Sequence, residues 1–129
     1  MTISIKNYLA YHGAALEMRS KRANVISSNI ANSSTPNYKA RDFDVSNGLR
    51  KISRLGPLNT SSEKHFVSID SAGSEKVNFR DPTMLALDGN TVEMAVEQTA
   101  FAENATKYQA TLTFLNGKIS TLRSAIKGE

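Results

Sequence analysis

The chain has 129 residues, of which 40% are hydrophobic, and it contains neither tryptophan nor cysteine. This length suits one modest domain with a small apolar core. The lack of cysteine excludes disulfides, thiolate metal sites and cysteine nucleophiles from this sequence. The formal net charge is +4, but 16 cationic residues are scattered among 12 acidic ones. This mixture favours a solvated surface over a nucleic-acid-binding patch.

No apolar run approaches the roughly 20 residues that are needed to span a bilayer. The first residues also lack the basic and compact apolar segments of a cleaved secretory signal. We therefore expect no stable membrane insertion, and we expect any route out of the cytosol to be independent of a signal peptide.

Residues 1–32 form the first predicted unit, an N-terminal helix. Seam positions recur at alternating steps of four and three along this unit, as in an amphipathic helix. The helix should end near Asn32, because Thr35 precedes Pro36 and the residue before a proline is pushed out of the helical region. The seam consists of Ile5, Leu9, His12, Leu16, Arg19, Ala23, Ile26 and Ile30.

Residues 33–55 are predicted to hold a loop and then a short helical turn that carries Leu49, Ile52 and Leu55. Residues 56–89 form an irregular middle. Within it, residues 65–69 are rich in β-branched and aromatic side chains, and residues 76–79 are a weaker candidate strand. The turn-forming residues between them indicate a possible β-hairpin.

Residues 90–129 are predicted to form a long C-terminal helix. Asn90 is expected to cap it, with Glu93 as the reciprocal partner of a capping box. A lone helix of this length is marginally stable and needs a partner. We expect a mainly α fold in which the terminal helices pair as a coiled-coil-like unit, within one molecule or between molecules. The C-terminal seam contains Met94, Gln98, Phe101, Ala105, Tyr108, Leu112, Leu115, Ile119, Leu122 and Ile126.

Residues that could carry catalysis or bind a metal are sparse. His12 and His65 are far apart and have no second ligand at metal spacing. No glycine-rich phosphate loop or nucleophile elbow is present, so we expect no enzymatic activity, cofactor or metal. The tight basic cluster of Arg19, Lys21 and Arg22 leaves an alternative, a small basic helical adaptor that binds nucleic acid or another protein.

Two separate blocks carry a family resemblance. Residues 28–44, the signature segment, read SNIANSSTPNYKARDFD and resemble the signature of bacterial flagellar axial proteins, above all those of the proximal rod. Residues 87–92, with Asn104, 107–109 and 114–119, are similar to the C-terminal region of the same family. Asn37 stands where glycine is commonest, and asparagine tolerates the left-handed backbone that this turn requires.

The resemblance implies a structural subunit of the flagellar proximal rod in the basal body. Such a subunit would be exported by the flagellar type III apparatus without a cleaved signal. It would then assemble through its terminal helices to transmit torque. The implied partners are other rod proteins, the basal-body base complex, the export apparatus and further copies in a helical assembly, but not nucleic acid. The predicted assembly residues are Leu9, Leu16, Ile26, Asn29, Ile30, Asn32, Thr35, Pro36, Tyr38, Phe43, Phe101, Tyr108, Leu112, Leu115, Ile119 and Leu122.

Overall fold

A computed structural model describes residues 5–54, 77–84 and 86–128. In chain order the elements are α1 (Ile5–Ala31), β1 (Arg41–Asp42), α2 (Val45–Arg54), β2 (Asn78–Phe79) and α3 (Met94–Lys127). The mainly helical fold with two long terminal helices is therefore confirmed. Within these described ranges, no helix has the length and apolarity needed to cross a membrane.

Helices α1 and α3 pack against each other in an antiparallel pair. Asn29 Nδ2 donates to Glu97 Oε2 over 3.2 Å, and Asn104 Nδ2 donates to the carbonyl oxygen of Arg19 over 2.9 Å. Because both helices rise about 1.5 Å per residue, this register puts Leu16 level with Tyr108. The pairing of the terminal helices occurs within one chain.

The apolar core lies between α1 and α2. Met18, Phe43 and Val45 are buried together there, with Leu49 and Ile52 packed against them. The predicted helical turn is thus part of α2, although its third residue, at position 55, lies outside the described residues. Asp44 begins the helix, since its Oδ1 accepts from the amide of Ser46 over 2.7 Å, as an N-cap residue does.

The inward face of α3 differs from the predicted seam in the amino-terminal half of the helix. Its two buried residues, Glu97 and Asn104, are both polar, whereas Phe101 is 40% exposed. In the other half the seam agrees with the structure in part: Leu112, Leu115 and Leu122 are half-buried, whereas Ile119 and Ile126 are exposed. Periodicity identified the helix correctly but placed its inward stripe about one residue away from the buried one, because polar groups occupy the contact with α1.

The predicted N-cap of the C-terminal helix is wrong. The helix begins at Met94 with Glu93 as its N-cap residue, and no side chain caps it. Asn90 Oδ1 instead accepts from the amide of Val92 over 2.8 Å in a local turn. Residues 91–93 form no part of α3, because Thr91 is held by a backbone hydrogen bond to Tyr38.

The two short strands form one antiparallel ladder, in which Arg41 is opposite Phe79 and Asp42 is opposite Asn78. The candidate strand at residues 76–79 therefore contributes β2, and its partner is the signature segment. The other half of the predicted hairpin, residues 65–69, lies outside the described residues. Periodicity could not show this pairing, because strands of two residues are too short to display any alternation.

Candidate functional site

The two blocks of the family resemblance meet in space. The amide of Thr91 donates to the carbonyl oxygen of Tyr38 over 3.0 Å, and Thr91 Oγ1 accepts from the amide of Ala40 over 2.8 Å. The amide of Asn37 donates to the carbonyl oxygen of Asp88 over 2.9 Å. We call this region, formed by residues 28–44, 78–80 and 88–97, the junction.

Asn90 ties the end of α1 to the start of the C-terminal region. Its Nδ2 lies 3.1, 2.8 and 3.1 Å from the carbonyl oxygens of Asn32, Ser33 and Thr35. All three carbonyls lie in the turn that follows α1, which ends at Ala31. Asn90, which is only 4% exposed, therefore holds the turn after α1 and does not cap the C-terminal helix as predicted.

The turn of the signature segment has the expected left-handed backbone. Asn37 has a φ of 61° and is the sole non-glycine residue with positive φ in the described parts of the chain. It faces Gly89, whose φ is +72°. A Cβ atom at Gly89 would lie 2.6 Å from Asn37 Oδ1, so the close approach of the two loops requires glycine there.

A network of two arginines and two carboxylates crosses the junction. Arg22 binds Asp42 through Nε and Nη2, over 2.9 and 2.8 Å. Arg80 bridges both acids: its Nη2 lies 2.7 Å from Asp42 Oδ2, and its Nη1 lies 2.7 Å from Glu97 Oε1. Because the four formal charges cancel, Glu97 can be buried without an unpaired charge. The network connects α1, β1, the residue after β2, and α3.

The contacts in this network shift the pKa values of Asp42 and Arg22. Burial opposes ionisation of Asp42, but hydrogen bonds from Arg22 and Arg80 outweigh it and hold the pKa of this carboxyl below its usual value. The hydrogen bond to Asp42 in turn raises the pKa of Arg22. Both groups therefore stay charged at neutral pH, and the network remains ionic.

Asn29 is the amide that connects this network to the backbone of β1. It is 0% exposed. Its Nδ2 donates to the carbonyl oxygen of Arg41 over 2.8 Å, and its Oδ1 accepts from the amide of the same residue over 3.1 Å. The Tyr38 hydroxyl donates to Asn29 Oδ1 over 3.4 Å and lies 3.3 Å from the hydroxyl of Ser28. Asn29 thus fixes β1 against α1 much as a neighbouring strand would.

The predicted assembly residues occupy three different environments. Three are fully buried within the chain, eight are half-buried and five are exposed. The buried ones are Ile26, Asn29 and Phe43; the half-buried ones are Leu9, Leu16, Ile30, Asn32, Tyr38, Leu112, Leu115 and Leu122; the exposed ones are Thr35, Pro36, Phe101, Tyr108 and Ile119. The structure brings Asn29 and Tyr38 into contact at the junction, whereas Phe43 packs into the core beside α2.

Sequence reasoning missed most of the charged network. Glu97 falls outside the predicted seam of the C-terminal helix, yet it is buried and paired with Arg80. The available signal was its position, since Glu97 and Asn104 are separated by seven residues and so share a helix face. Nothing local connects Glu97 to Arg80, which lies 17 residues away.

Two of the three cations in the basic cluster on α1, Lys21 and Arg22, form ion pairs within the chain. Lys21 Nζ lies 2.7 Å from Glu17 Oε1, and Arg22 is bound to Asp42. These pairs reduce the positive charge that the cluster could offer to a nucleic-acid phosphate. In the part of the chain that the structure describes, no three histidine, aspartate or glutamate side chains are grouped to hold a metal ion.

The chain is similar to known proteins over nearly its whole length. A family model described as "Flagella basal body rod protein" matches residues 9–39. The curated protein "Flagellar basal body rod protein FlgB" of Cereibacter sphaeroides is 48% identical over 124 residues, which cover 96% of this chain and 97% of that protein. The proteins of the same name from Aeromonas hydrophila and Salmonella typhimurium are 43% and 34% identical, covering 100% and 93% of this chain and 99% and 93% of their own lengths. The chain therefore belongs to the FlgB family of flagellar basal body rod proteins.

Proposed function

We propose that this chain is a structural subunit of the flagellar rod, and that its α1–α3 pair completes its packing against neighbouring subunits. One observation carries the proposal. Large apolar side chains on α3 remain accessible in the single chain: Phe101 is 40% exposed, Tyr108 36% and Ile119 38%. Burying the remaining third or so of one such side chain is worth about 0.5 to 1 kcal/mol. A row of them therefore favours association.

The carboxyl-terminal part of α3 strengthens this argument. Phe114 and Ile126 are 66% and 77% exposed in the single chain, and both lie in this part of α3. Apolar side chains that are exposed to this degree are available to a neighbouring molecule. In a helical assembly of head-to-tail contacts, each subunit would cover this part of the next one.

The signature segment is suited to a second contact. Its tip, with Thr35 and Pro36, is exposed, while Asn90 holds the backbone on the near side of the tip. A loop whose backbone is already fixed loses little conformational entropy on binding. We propose that this tip reaches a neighbouring subunit, and that Tyr38, half-buried beneath it, keeps it in position.

Export and torque transmission are further parts of the proposal. The buried apolar core around Met18, Phe43 and Val45 is small, so the described part of the chain draws little stability from apolar burial. Such a chain can be unfolded for passage through the flagellar type III apparatus and regain stability from neighbours in the rod. Torque would then pass between subunits through their interlocked helices.

The test is a pair of charge substitutions on the two helices. Leu16→Asp and Leu115→Asp should each remove the chain from purified basal bodies and abolish swimming, because each places a carboxylate in an apolar contact. Secretion of the variant chains should continue. Asn24→Asp, at an exposed position on α1, is the matched control and should assemble normally. Normal swimming by both leucine variants would contradict the assembly role of the helices.

A further inference from the structure

A groove on the α1–α3 pair lies beside the junction, on the surface that includes Phe101 and Tyr108. Arg19 and Ala23 line it from α1, and Asn104 lines it from α3; its volume is about 340 Å³. Apolar rings and polar atoms therefore alternate along one surface. Neither Arg19 nor Asn104 was among the predicted assembly residues.

Two buried polar atoms in this groove have no partner in the described parts of the chain. Asn104 is 1% exposed, and its Nδ2 donates to the carbonyl oxygen of Arg19, but its Oδ1 accepts no hydrogen bond. Arg19 Nε is likewise buried and donates to no acceptor. Most buried polar groups in folded proteins are hydrogen-bonded, so each exception requires an explanation.

The charge of Arg19 is also poorly compensated. Burial, together with the nearby Arg22, lowers the pKa of Arg19. Glu103 lies close enough to favour the charged form, but its carboxylate binds Lys107. A carboxylate brought into the groove would supply both the missing charge and an acceptor for Arg19 Nε.

The required occupant follows from these groups. It must present a carboxylate to Arg19, a hydroxyl or amide donor to Asn104 Oδ1, and apolar side chains to the rings of Phe101 and Tyr108. An amphipathic helix with an acidic residue in its apolar stripe meets all three requirements. Both buried atoms are closed to solvent in the free chain, so docking requires a turn of the Arg19 and Asn104 side chains towards the groove. The apolar part of the helix would then cover the rings while its polar groups satisfy these two atoms.

A second copy of this chain is a poor match for the groove. Residues 104–128 carry four cations and no acidic residue, so the exposed apolar part of α3 would bring positive charge towards Arg19. The two accessible acids on the described helices, Glu17 and Glu103, already pair with lysines one turn away. Charge complementarity therefore favours a different protein.

We propose that this groove docks an acidic amphipathic helix from a different subunit of the rod or its base, with Arg19 and Asn104 as the residues that select it. The proposal rests on the proposed function in the flagellar rod. Like-charge contacts would then exclude other copies of this chain from the site, which is one way to order unlike subunits along a rod.

The experiment is photo-crosslinking in flagellated cells that express this chain in place of their own rod subunit. The photoreactive amino acid replaces Gln109, which lines the groove. In the matched control it replaces Thr99, which does not line the groove and which the helical repeat places on the opposite side of α3 from Tyr108. The Gln109 probe should crosslink to an acidic helical segment of another basal-body protein, and the Thr99 probe should not.

Charge reversal then tests the chemistry. Arg19→Glu should lower the crosslink yield from the Gln109 probe at least tenfold, and changing the partner's crosslinked acidic residue to lysine should restore it. Asn104→Leu should also lower the yield, while circular dichroism of the isolated chain stays unchanged. A purely structural role for Arg19 would not give rescue by a change in the partner.

The outcomes separate this inference from the proposed function. If the chain is present in purified basal bodies but the groove crosslinks to another copy of itself, to no protein, or to a helix without an acidic residue, the docking proposal is wrong and the rod function stands. Failure of the lysine rescue overturns the role of Arg19 in the same way. If the chain is absent from basal bodies, the rod function fails and the docking proposal fails with it.

Discussion

Removing Arg80 should destabilise the fold more than removing any exposed cation. Arg80 is the single cation bound to Glu97 within the described residues, and the side chain of Glu97 is only 1% exposed. Asp42 would keep its two hydrogen bonds from Arg22. The cost of Arg80→Met therefore arises mainly from a buried carboxylate that, among the described residues, retains only Asn29 as a hydrogen-bond donor.

The magnitude follows from the burial of the pair. Breaking a buried ion pair by removing one partner costs roughly 3 to 5 kcal/mol. The side chain of Arg80 is 24% exposed, which places this pair at the lower end. We expect Arg80→Met to lower the free energy of unfolding by about 3 kcal/mol, roughly a hundredfold in the folding equilibrium. Urea unfolding followed by circular dichroism measures this quantity.

Two further variants make the test selective. Adding Glu97→Gln to Arg80→Met removes the unpaired charge and should recover at least about 1 kcal/mol of the loss, because a neutral amide is less costly to bury than a carboxylate. Lys107→Met breaks the exposed pair with Glu103 and should leave stability unchanged within error. The reasoning is refuted if Arg80→Met is as mild as Lys107→Met, or if the double variant is less stable than Arg80→Met.

Three other predictions concern the turn, the pH dependence and the free chain. Gly89→Ala should destabilise the fold by at least about 1 kcal/mol, since it adds a Cβ against Asn37 at positive φ. Gly13→Ala, at an open position within α1, should instead stabilise the fold by about 0.5 to 1 kcal/mol. Urea unfolding measures both changes, and a change of the same sign in the two variants would contradict the prediction. Because the folded-state pKa of Asp42 lies below its ordinary value of 3.8, the stabilising contribution of this carboxylate is complete above that value and is lost as the pH falls through the folded-state pKa. The free energy of unfolding of Asp42→Asn should therefore change less with pH over this range. The same pH dependence in the variant and the original chain would count against the network. In the isolated chain, amide hydrogens of α3 after Ile119 should exchange quickly and become protected in purified rods; slow exchange in the isolated chain would indicate a self-sufficient domain.

The helices were predictable because their signal is periodic and local. The end of α1 near Asn32 followed from Pro36, and the left-handed turn at Asn37 followed from the substitution of asparagine for a glycine. The use of Asn90 was not predictable in the same way. An asparagine followed three residues later by a glutamate can cap its own helix or bind the backbone of a distant turn, and only the fold decides which groups it reaches.

The charged network shows a second limit of sequence reasoning. An acidic residue on a helix is usually solvated, and the local pattern around Glu97 contains nothing that overrides this expectation. Its burial depends on Arg80 and Asn29, which come from two other parts of the chain. The same is true of Asn104 in the groove. The polar residues on the inward face of α3 therefore became recognisable only once α1 was placed against them.

The polar junction and the apolar helix surfaces are suited to different tasks in an assembly. Hydrogen bonds and ion pairs are directional, so the contacts of Asn29, Asn90 and Arg80 fix one angle between the signature segment and the helix pair. Apolar contact is non-directional, so exposed groups such as Phe101 can accommodate neighbours at slightly different positions. A subunit that must join unlike neighbours needs a rigid frame together with an adaptable surface. We therefore expect variants of the junction to lose the folded state, and variants of the exposed helix face to fold normally and fail in assembly.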